Sequence, residues 1–336
     1  MPWKLLATIA SSVFAMVVAL APAARAEVST VRLAQQYGIA YLPLTVMKSE
    51  GLFEKHAKDL GLTLKTEWLR FAAGSGMNDG LLSGNLDFAS GGVSPLITIW
   101  GKTEKNLNVR AVAALNETPL YIVTANPKVK SITDFTSNDR IAMPTIKTSF
   151  QALILQMALR KVLGPGQENK LDPITVAMSP PDAMTALLGG RSEVNSHFTS
   201  PPFYSQEVAD PRIHTVLNSF DVFGGPHTFT IVWATSKFAD ANPTVMKAFY
   251  AALEDAMQRI AKDPANAARI YIKAEGSKYS EAEVVKLITE PGTKFSATPK
   301  KVFTLYEYMH QIGLVTRKAS SWKDLFFPGV HSAQGS

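Results

Sequence analysis

The sequence predicts a two-lobed α/β protein, in which each lobe is a mainly parallel sheet flanked by helices. A short pattern occurs twice, as LLSGNLDFASGGVSPL over residues 81–96 and as LLGGRSEVNSHFTSPP over residues 187–202. Each copy predicts a helix end, a glycine stop, a short strand and a Ser-Pro helix start, because serine caps free N–H groups and proline suits the first helical turn. Strands and helices also alternate from Val28 to about Ser219, which indicates parallel strands with right-handed crossovers.

The first series of elements lies between residues 30 and 115. β-Branched or alternating residues predict strands over 30–35, 62–71, 86–89 and 109–115. Between them, an apolar helix over 42–49 is stopped by Gly51, the GSG at 74–76 opens a helix that ends at Gly84, and a third helix runs over 94–100.

The second series begins near Ile132. It predicts strands over 140–144, 174–178, 191–198 and 213–218. Thr148 or Ser149 caps an apolar helix that runs to about Val162, and Ser179 with Pro180 opens the next helix.

The chain then becomes helical. Asn242 and Pro243 start a helix with apolar residues on one face, and Ser280 with Glu283 forms a capping box before another. Thr298-Pro299 is expected to start a last helix that ends at Gly313, and the segment from Asp324 onward is expected to pack loosely.

These elements predict a domain inserted into another. We expect lobe one to consist of residues 28–120 and 234–325, and lobe two of residues 125–227. The β-rich stretches 120–124 and 228–235 are the expected hinge crossings. Two adjacent connections between lobes allow hinge closure around a ligand, as in periplasmic binding proteins of the type II-like architecture.

Residues 1–26 predict a signal peptide rather than part of the fold. Lys4 precedes an apolar stretch over 5–20, and Ala24-Arg25-Ala26 fits a small-x-small cleavage site. We expect cleavage after Ala26 and export to the periplasm; an uncleaved single span is the alternative. The sequence has no cysteine, which excludes disulfides, thiolate metal sites and a lipid-anchored cysteine.

The composition gives no indication of an enzyme or a nucleic-acid-binding protein. The formal net charge is +6, and its charges are scattered rather than gathered in a basic stripe. The six histidines show no metal-ligand spacing, and no dinucleotide, Walker or nucleophile-elbow motif is complete. We therefore expect no catalytic residues, no metal and no cofactor.

Four stretches, in chain order, resemble the nitrate/sulfonate/taurine group of ABC-transporter solute-binding proteins, which includes thiamine-precursor binders. They are IAYLPLTVMKSEGLFEKHAKDLG at 39–61, GSGMNDGLLSGNLDFASGGVSPLI at 74–97, VKSITDFTSNDRIAMPTIKTSFQALILQMAL at 129–159 and NPTVMKAFYAALEDAMQRIAKDPANAARI at 242–270. One departure is Glu193, which stands where the second "sGqvDA" unit of the family has aspartate.

The resemblance implies a substrate-binding component of an ABC importer that captures a small organic anion by hinge closure. Sulfonates, taurine, nitrate-like anions or aromatic carboxylates are the implied solutes, and a membrane permease is the implied partner. A binder of a thiamine-pyrimidine-type molecule and a sensor module are the alternatives. An enzyme is not expected. The resemblance implies that the pyrimidine-forming enzymes of this fold family depend on a cysteine-rich segment, and this sequence has no cysteine. A monomer is expected.

The predicted ligand-binding residues lie where helix starts and strand ends of the two lobes would face each other. Turn glycines, helix caps, a solvated Lys147 and a core His227 are the alternative interpretations. From lobe one the candidates are Gln36, Tyr37, Gly74, Ser75, Gly91, Gly92, Val93 and Ser94; from lobe two they are Thr145, Lys147, Thr148, Ser149, Thr199, Ser200 and His227.

Overall fold

A computed structural model describes residues 26–336; residues 1–25 of the predicted signal peptide lie outside this range. Ten strands, β1 to β10, span Thr30–Gln35, Lys65–Arg70, Ala89–Gly92, Arg110–Ala114, Tyr121–Thr124, Ile141–Met143, Thr175–Ala177, Ser196–Thr199, His214–Asn218 and Thr230–Ala234. Among the described residues, no helix is both long and apolar enough to cross a bilayer.

Within residues 26–336, thirteen α-helices accompany the strands. In chain order, α1 to α13 span Leu42–Ser49, Leu52–Asp59, Gly74–Leu82, Val93–Lys102, Phe150–Leu163, Pro180–Gly189, Phe203–Glu207, Ser219–Phe223, Ser236–Ala241, Pro243–Lys262, Pro264–Glu275, Glu281–Thr289 and Val302–Gln311. Short 3-10 turns lie at Ile39–Tyr41, Asp172–Ile174, Trp322–Leu325 and Pro328–Val330.

The strands form two units with the same order. In the first unit β1 pairs with β2, and β10 lies between β3 and β4. Backbone hydrogen bonds of Ala34 and Arg32 to Phe88, 3.0 and 3.1 Å long, join β1 to the residue before β3. The resulting order, β2-β1-β3-β10-β4, matches the order β7-β6-β8-β5-β9 of the second unit. The repeated sequence pattern therefore reflects a repeated topology, with β3 and β8 in equivalent places.

One strand in each unit runs against the others. β5 is antiparallel to β8 and β9, and β10 is antiparallel to β3 and β4, whereas β1 and β2, β6 and β7, and β6 and β8 pair in parallel. Both reversed strands are the first strand after the chain has come from the other unit. The α/β class with predominantly parallel strands is confirmed.

The stretches expected as hinge crossings are mostly sheet strands. Tyr121–Thr124 is β5 and Thr230–Ala234 is β10, and both are inner strands of their units. The chain passes between the units over 115–120 and 219–229. Glu117 and Thr228 pair across these two segments in an isolated antiparallel bridge. The proposed lobes, 28–120 with 234–325 and 125–227, remain our description of the domain organisation.

Several helix starts follow the predicted caps. The Ser149 hydroxyl accepts a 3.2 Å hydrogen bond from the Ala152 amide, and Ser179 caps α6 in the same way. Ser280 and Glu283 form the expected capping box. α13 instead begins at Val302, later than Thr298-Pro299 indicates.

The two Ser-Pro pairs of the repeat do not cap helices. α4 begins one residue before Ser94, with Gly92 as its N-cap, because the Ser94 hydroxyl donates to the Thr148 carbonyl at 2.9 Å instead. α7 begins at Phe203, after Ser200 and both prolines. A Ser-Pro pair thus marks the right region, but tertiary contacts set the first helical residue.

The C-terminal segment is firmly packed, so the expectation of loose packing is wrong. Phe326 is fully buried, and the Phe327 amide donates to the Ala111 carbonyl of β4 at 2.8 Å. The amide of Val302 donates to the backbone carbonyl of the last residue, Ser336, also at 2.8 Å. Burial of the apolar side chains in this segment offsets the entropy of ordering it.

Candidate functional site

A cavity of about 470 Å³ lies where the two units meet. Seven of the predicted residues line it: Gln36, Gly74, Ser75 and Gly92 from the first unit, and Thr145, Thr148 and Ser149 from the second. The further lining residues are Tyr41, Asn78, Asp79, Leu82, Pro95, Thr98, Ile99, Lys102, Thr103, Asn106, Pro144, Phe150, Gln151 and Phe229.

Three helices begin at the inner end of this cavity. Gly74 and Ser75 open α3, Gly92 is the N-cap of α4, and Ser149 is the N-cap of α5. Neither α3 nor α4 has a side chain capping its first amides. Free amides and the positive ends of three helix dipoles favour a negatively charged group, by about 0.3–1 kcal/mol for each helix at an exposed site.

Two glycines let the helices approach each other around the cavity. A Cβ at Gly74 would lie 2.8 Å from Cγ of Pro95, and a Cβ at Gly92 would lie 2.7 Å from Cβ of Phe150. Both distances are shorter than side-chain atoms tolerate. Glycine at these positions is therefore required for α3 to pack on α4 and for α4 to pack on α5.

Polar side chains from both units meet at the inner end. The hydroxyl oxygens of Ser75 and Thr145 are 3.5 Å apart. Gln36 is only 8% exposed and lines the cavity. Its side-chain amide offers a donor and an acceptor with which a ligand in the cavity could form hydrogen bonds.

No Lys or Arg of the described chain lines the inner end. Lys102 lines the cavity at the last residue of α4, far from the helix starts, and Asp79 of α3 lines it too. Lys147 is exposed, has a positive φ of 64° and does not line the cavity. The attraction for an anion therefore comes from amides, helix dipoles and hydroxyls.

The remaining predicted residues lie near the cavity without lining it. Tyr37 is half-buried, and the Arg70 guanidinium lies 5.0 Å from the centre of its ring. The other residues of this group are buried and do not line the cavity: Gly91, Val93, Ser94, Thr199 and Ser200.

His227 belongs to the connection between the units. Its ring is fully buried and contacts the rings of Phe150, Phe220 and Phe223. Nδ1 donates to the backbone carbonyl of Thr228 at 3.0 Å, and Nε2 accepts from the hydroxyl of Ser219 at 2.8 Å. Burial lowers the pKa of His227 to about 4, so the ring is neutral near pH 7.

The Ser219 hydroxyl also connects this histidine to the other crossing. It accepts a 2.8 Å hydrogen bond from the amide of Leu120. A chain of hydrogen bonds thus runs from Leu120 in the first crossing through Ser219 to His227 in the second. This geometry gives His227 a role in fixing the two crossings side by side.

The sequence analysis identified Gly74 and Ser75 but missed the rest of one wall of the cavity. Residues 74, 75, 78, 79 and 82 lie on one face of α3, and residues 95, 98, 99 and 102 lie on one face of α4. The amide of Asn78 bridges these helices by donating to the Pro95 carbonyl at 3.0 Å. The three- and four-residue spacing was visible in the sequence, but it does not distinguish a cavity wall from a core face.

Among residues 26–336, no three or more His, Asp or Glu side chains are grouped so that they could hold a metal ion.

Comparison with known proteins identifies the family and the fold. A model of the NMT1-like family matches residues 24–272. No curated protein sequence matches the chain significantly.

Solved structures of similar fold are numerous. The alkanesulfonate-binding protein SsuA from Xanthomonas axonopodis pv. citri, bound to MOPS, is 18% identical, with a TM-score of 0.69 over 90% of this chain and 99% of that one. The periplasmic aliphatic sulphonate-binding protein SsuA from Escherichia coli is 20% identical, with a TM-score of 0.65 over 89% and 99%.

The periplasmic nitrate-binding protein NrtA from Synechocystis is 19% identical, with a TM-score of 0.67 over 89% of this chain and 84% of that one. Together with the family match, these similarities confirm the predicted resemblance to nitrate- and sulfonate-binding proteins of ABC importers and the two-lobed binding-protein fold.

Proposed function

This chain belongs to the NMT1-like family, and we propose on that premise that it is the periplasmic substrate-binding component of an ABC importer. It captures a small organic anion and delivers it to a membrane permease. The observation that carries this proposal is the cavity between the two units, where three helix starts and the Gln36 amide converge. The similar solved structures named above are binding proteins, which supports a binding role rather than catalysis.

The size of the cavity favours an organic solute over nitrate. A volume of about 470 Å³ lies within the range of roughly 300–1,000 Å³ found for small-molecule sites. A four-atom anion would leave most of it empty. The walls also contain Tyr41, Phe150 and Phe229, whose rings suit a carbon framework.

The contacts across the cavity support capture by closure. Ser75 faces Thr145, and Ser94 donates to the Thr148 carbonyl, so each helix start of the first unit has a counterpart in the second. A ligand held by both sides would bind the closed arrangement better than an open one. That difference in affinity is what shifts such an equilibrium.

A neutral aromatic solute of the pyrimidine type is the second candidate. It is favoured because no Lys or Arg of residues 26–336 lies at the inner end, and because the Phe150 and Phe229 rings stack at a 17° angle with centroids 5.9 Å apart. Such a ring would rest against this wall and hydrogen-bond Gln36.

Thermal stability tests the proposal and separates the two candidates. The chain from Glu27, unfolded and refolded to remove bound solute, is heated with alkyl and aryl sulfonates, nitrate, aromatic carboxylates and neutral pyrimidines. We expect an organic anion to stabilise it by about 2.7 kcal/mol at a hundredfold excess over Kd, and Thr145→Val to weaken this effect. Thr185→Val, on the outer helix α6, is the control.

Stabilisation by pyrimidines alone would establish the second candidate. If no compound stabilises the protein and mass spectrometry finds no solute in the untreated preparation, the transport proposal is wrong.

A further inference from the structure

We infer that a second pocket, lined by Arg110 and Arg317 of the first unit, binds an oxyanion of the phosphate or sulfate class. This pocket is separate from the cavity between the units, and its occupation does not depend on which solute is transported. It lies between the end of α4, the start of β4 and the C-terminal segment, and its volume is about 510 Å³.

The pocket is held together by contacts between segments that are far apart in the chain. The Arg317 guanidinium lies 4.0 Å from the centre of the Trp100 ring. It donates to the Trp100 carbonyl at 2.9 Å and to the side-chain oxygen of Asn108 at 3.1 Å. The Trp100 indole nitrogen in turn donates to the Asp324 carbonyl at 3.1 Å. An ion that binds here therefore meets a guanidinium that is already ordered, which lowers the entropy cost of binding.

The charged side chains around the pocket leave an excess of positive charge. Four are cationic and two are carboxylates, namely Arg110, Arg317, Lys318 and Lys323 against Glu104 and Asp324. The Asp324 carboxylate already accepts hydrogen bonds from the amide and the hydroxyl of Ser320, at 2.7 and 2.8 Å. Glu104 is 54% exposed, and its carboxylate lies 3.7 Å from Nε of Arg317, whose side chain is only 11% exposed. The two carboxylates therefore do not balance the four cations.

Arg110 has a buried donor that the protein itself does not use. Its Nε has no hydrogen-bond partner among residues 26–336, and a buried donor of a charged group is costly without one. Burial lowers the pKa of Arg317, and the positive charge of Arg110 acts in the same direction. A bound anion would accept a hydrogen bond from Arg110 and would offset the repulsion between the two guanidinium groups.

The chemistry of the pocket favours an oxyanion over chloride. A guanidinium presents parallel N–H groups that match two oxygens of a phosphate or sulfate, whereas a spherical ion cannot use this geometry. A doubly charged ion also compensates more of the excess positive charge. Such a group occurs free in solution and as the phosphate of a lipid head group, so the experiment separates these two sources.

Equilibrium dialysis tests the site directly. The chain from Glu27 is dialysed against radiolabelled phosphate, and separately against sulfate, with chloride added to keep the ionic strength constant. We expect one ion to bind per chain in the presence of chloride.

Arg110→Gln should weaken phosphate binding at least tenfold, because it removes charge-assisted hydrogen bonds. Its unfolding temperature in chloride should be unchanged or higher, since the buried Nε has no partner and the repulsion of Arg317 decreases. Arg269→Gln is the control, because it removes the same charge from α11, where this side chain is 54% exposed and pairs with Glu281. This control should bind phosphate as the unsubstituted protein does.

Lys323→Gln gives a second, milder variant in case Arg110→Gln does not fold. Its side chain is exposed at the pocket, and we expect phosphate binding to weaken by about twofold to tenfold. Lys273→Gln removes an exposed lysine from α11 and should have no effect. Thr145→Val, in the cavity between the units, should leave phosphate binding unchanged as well.

Sedimentation with lipid vesicles identifies the source of the oxyanion. Vesicles of anionic phosphatidylglycerol are compared with vesicles of zwitterionic phosphatidylcholine. Binding of free phosphate without sedimentation supports the pocket as a site for a free ion. Sedimentation with phosphatidylglycerol that Arg110→Gln abolishes supports it as a site for a lipid head group.

Three results overturn the inference. The first is equal phosphate binding by Arg110→Gln and Arg269→Gln. The second is binding that only Thr145→Val abolishes, because the ion then lies in the cavity between the units. The third is that neither phosphate, sulfate nor the anionic vesicles bind. The proposed transport function stands in each case.

Discussion

The hydroxyl oxygens of Ser75 and Thr145 lie 3.5 Å apart, although one belongs to α3 of the first unit and the other follows β6 of the second. Both residues line the cavity where three helices begin. Their proximity shows that the two units contact each other directly at the point where the amides are free. A ligand between them would exchange a weak hydroxyl contact for hydrogen bonds to both sides.

Ser149→Ala is expected to lower both stability and ligand affinity. The hydroxyl caps α5, and loss of such a cap costs about 0.5–2 kcal/mol in the free energy of unfolding. Ser179→Ala removes the equivalent cap of α6, away from the cavity. Urea unfolding should show similar losses for both variants, whereas calorimetric titration should show weaker ligand binding only for Ser149→Ala. Equal affinities would exclude Ser149 from the binding site.

Gln36→Leu should weaken ligand binding between about twofold and tenfold, the contribution of one neutral hydrogen bond. The neighbouring Gln35 provides the control, because its side chain is buried, donates to the Thr45 hydroxyl at 3.4 Å and leaves its Oε1 without a partner. Gln35→Leu should leave affinity unchanged. If the two variants bind the ligand alike, Gln36 is not a ligand contact.

Tyr279→Phe should favour separation of the units. The Tyr279 hydroxyl lies in the loop before α12 and donates to the Pro202 carbonyl of the second unit at 2.6 Å. Burial raises the pKa of Tyr279 to about 12, so the hydroxyl remains a donor at neutral pH. We expect ligand affinity to fall by up to about tenfold. Small-angle scattering without ligand should show a larger radius of gyration for the variant than for the unsubstituted protein.

Tyr308→Phe is the control for this variant. The Tyr308 hydroxyl has a buried oxygen with no hydrogen-bond partner in the described structure. Its removal should therefore leave affinity and particle size unchanged. Identical behaviour of the two variants would show that the Tyr279 contact does not hold the units together.

Lowering the pH from 6.5 to about 4 should destabilise the protein through His227. The pKa of this buried ring is lowered from 6.5 to about 4, so between these values the unfolded chain binds a proton that the folded protein does not. The contribution of the neutral His227 ring to the free energy of unfolding is thus fully present above pH 6.5. It is lost as the pH falls toward 4, which lowers the free energy of unfolding by up to about 3 kcal/mol.

His227→Gln should remove this contribution. Thermal unfolding at several pH values, measured in parallel for both proteins, should show a shallower acid slope for the variant. Identical slopes would mean that His227 does not couple folding to protonation.

Much of the local structure could be predicted from the sequence. Ser149, Ser179 and Ser280 cap the helices that their spacing indicates, because a cap depends on a few neighbouring atoms. The repeated pattern indicated two equivalent strands, β3 and β8, but β3 begins at Ala89, where the predicted strand 86–89 ends. Ser94 and Ser200 show the limit of such reasoning, since Ser94 donates across to Thr148 and α7 begins only after both prolines.

The candidate site could be predicted only in part. The inner end, with Gln36, Gly74 and Ser149, follows from turn glycines and helix starts at strand ends. The wall that Thr98 and Ile99 of α4 form does not, because an apolar helix face has the same sequence pattern whether it meets a core or a cavity.

The sequence by itself determined the order of the elements, the duplication and the family, because periodicity, caps and motifs are properties of neighbouring residues. Only the tertiary structure decided which residues face the cavity. Lys147 and Ser149 are two residues apart, yet one is exposed outside the cavity and the other lines it. His227, equally, was a candidate ligand contact until packing placed it among buried aromatic rings. The physical reason is that burial and orientation arise from contacts between residues distant in the chain, which no local pattern records.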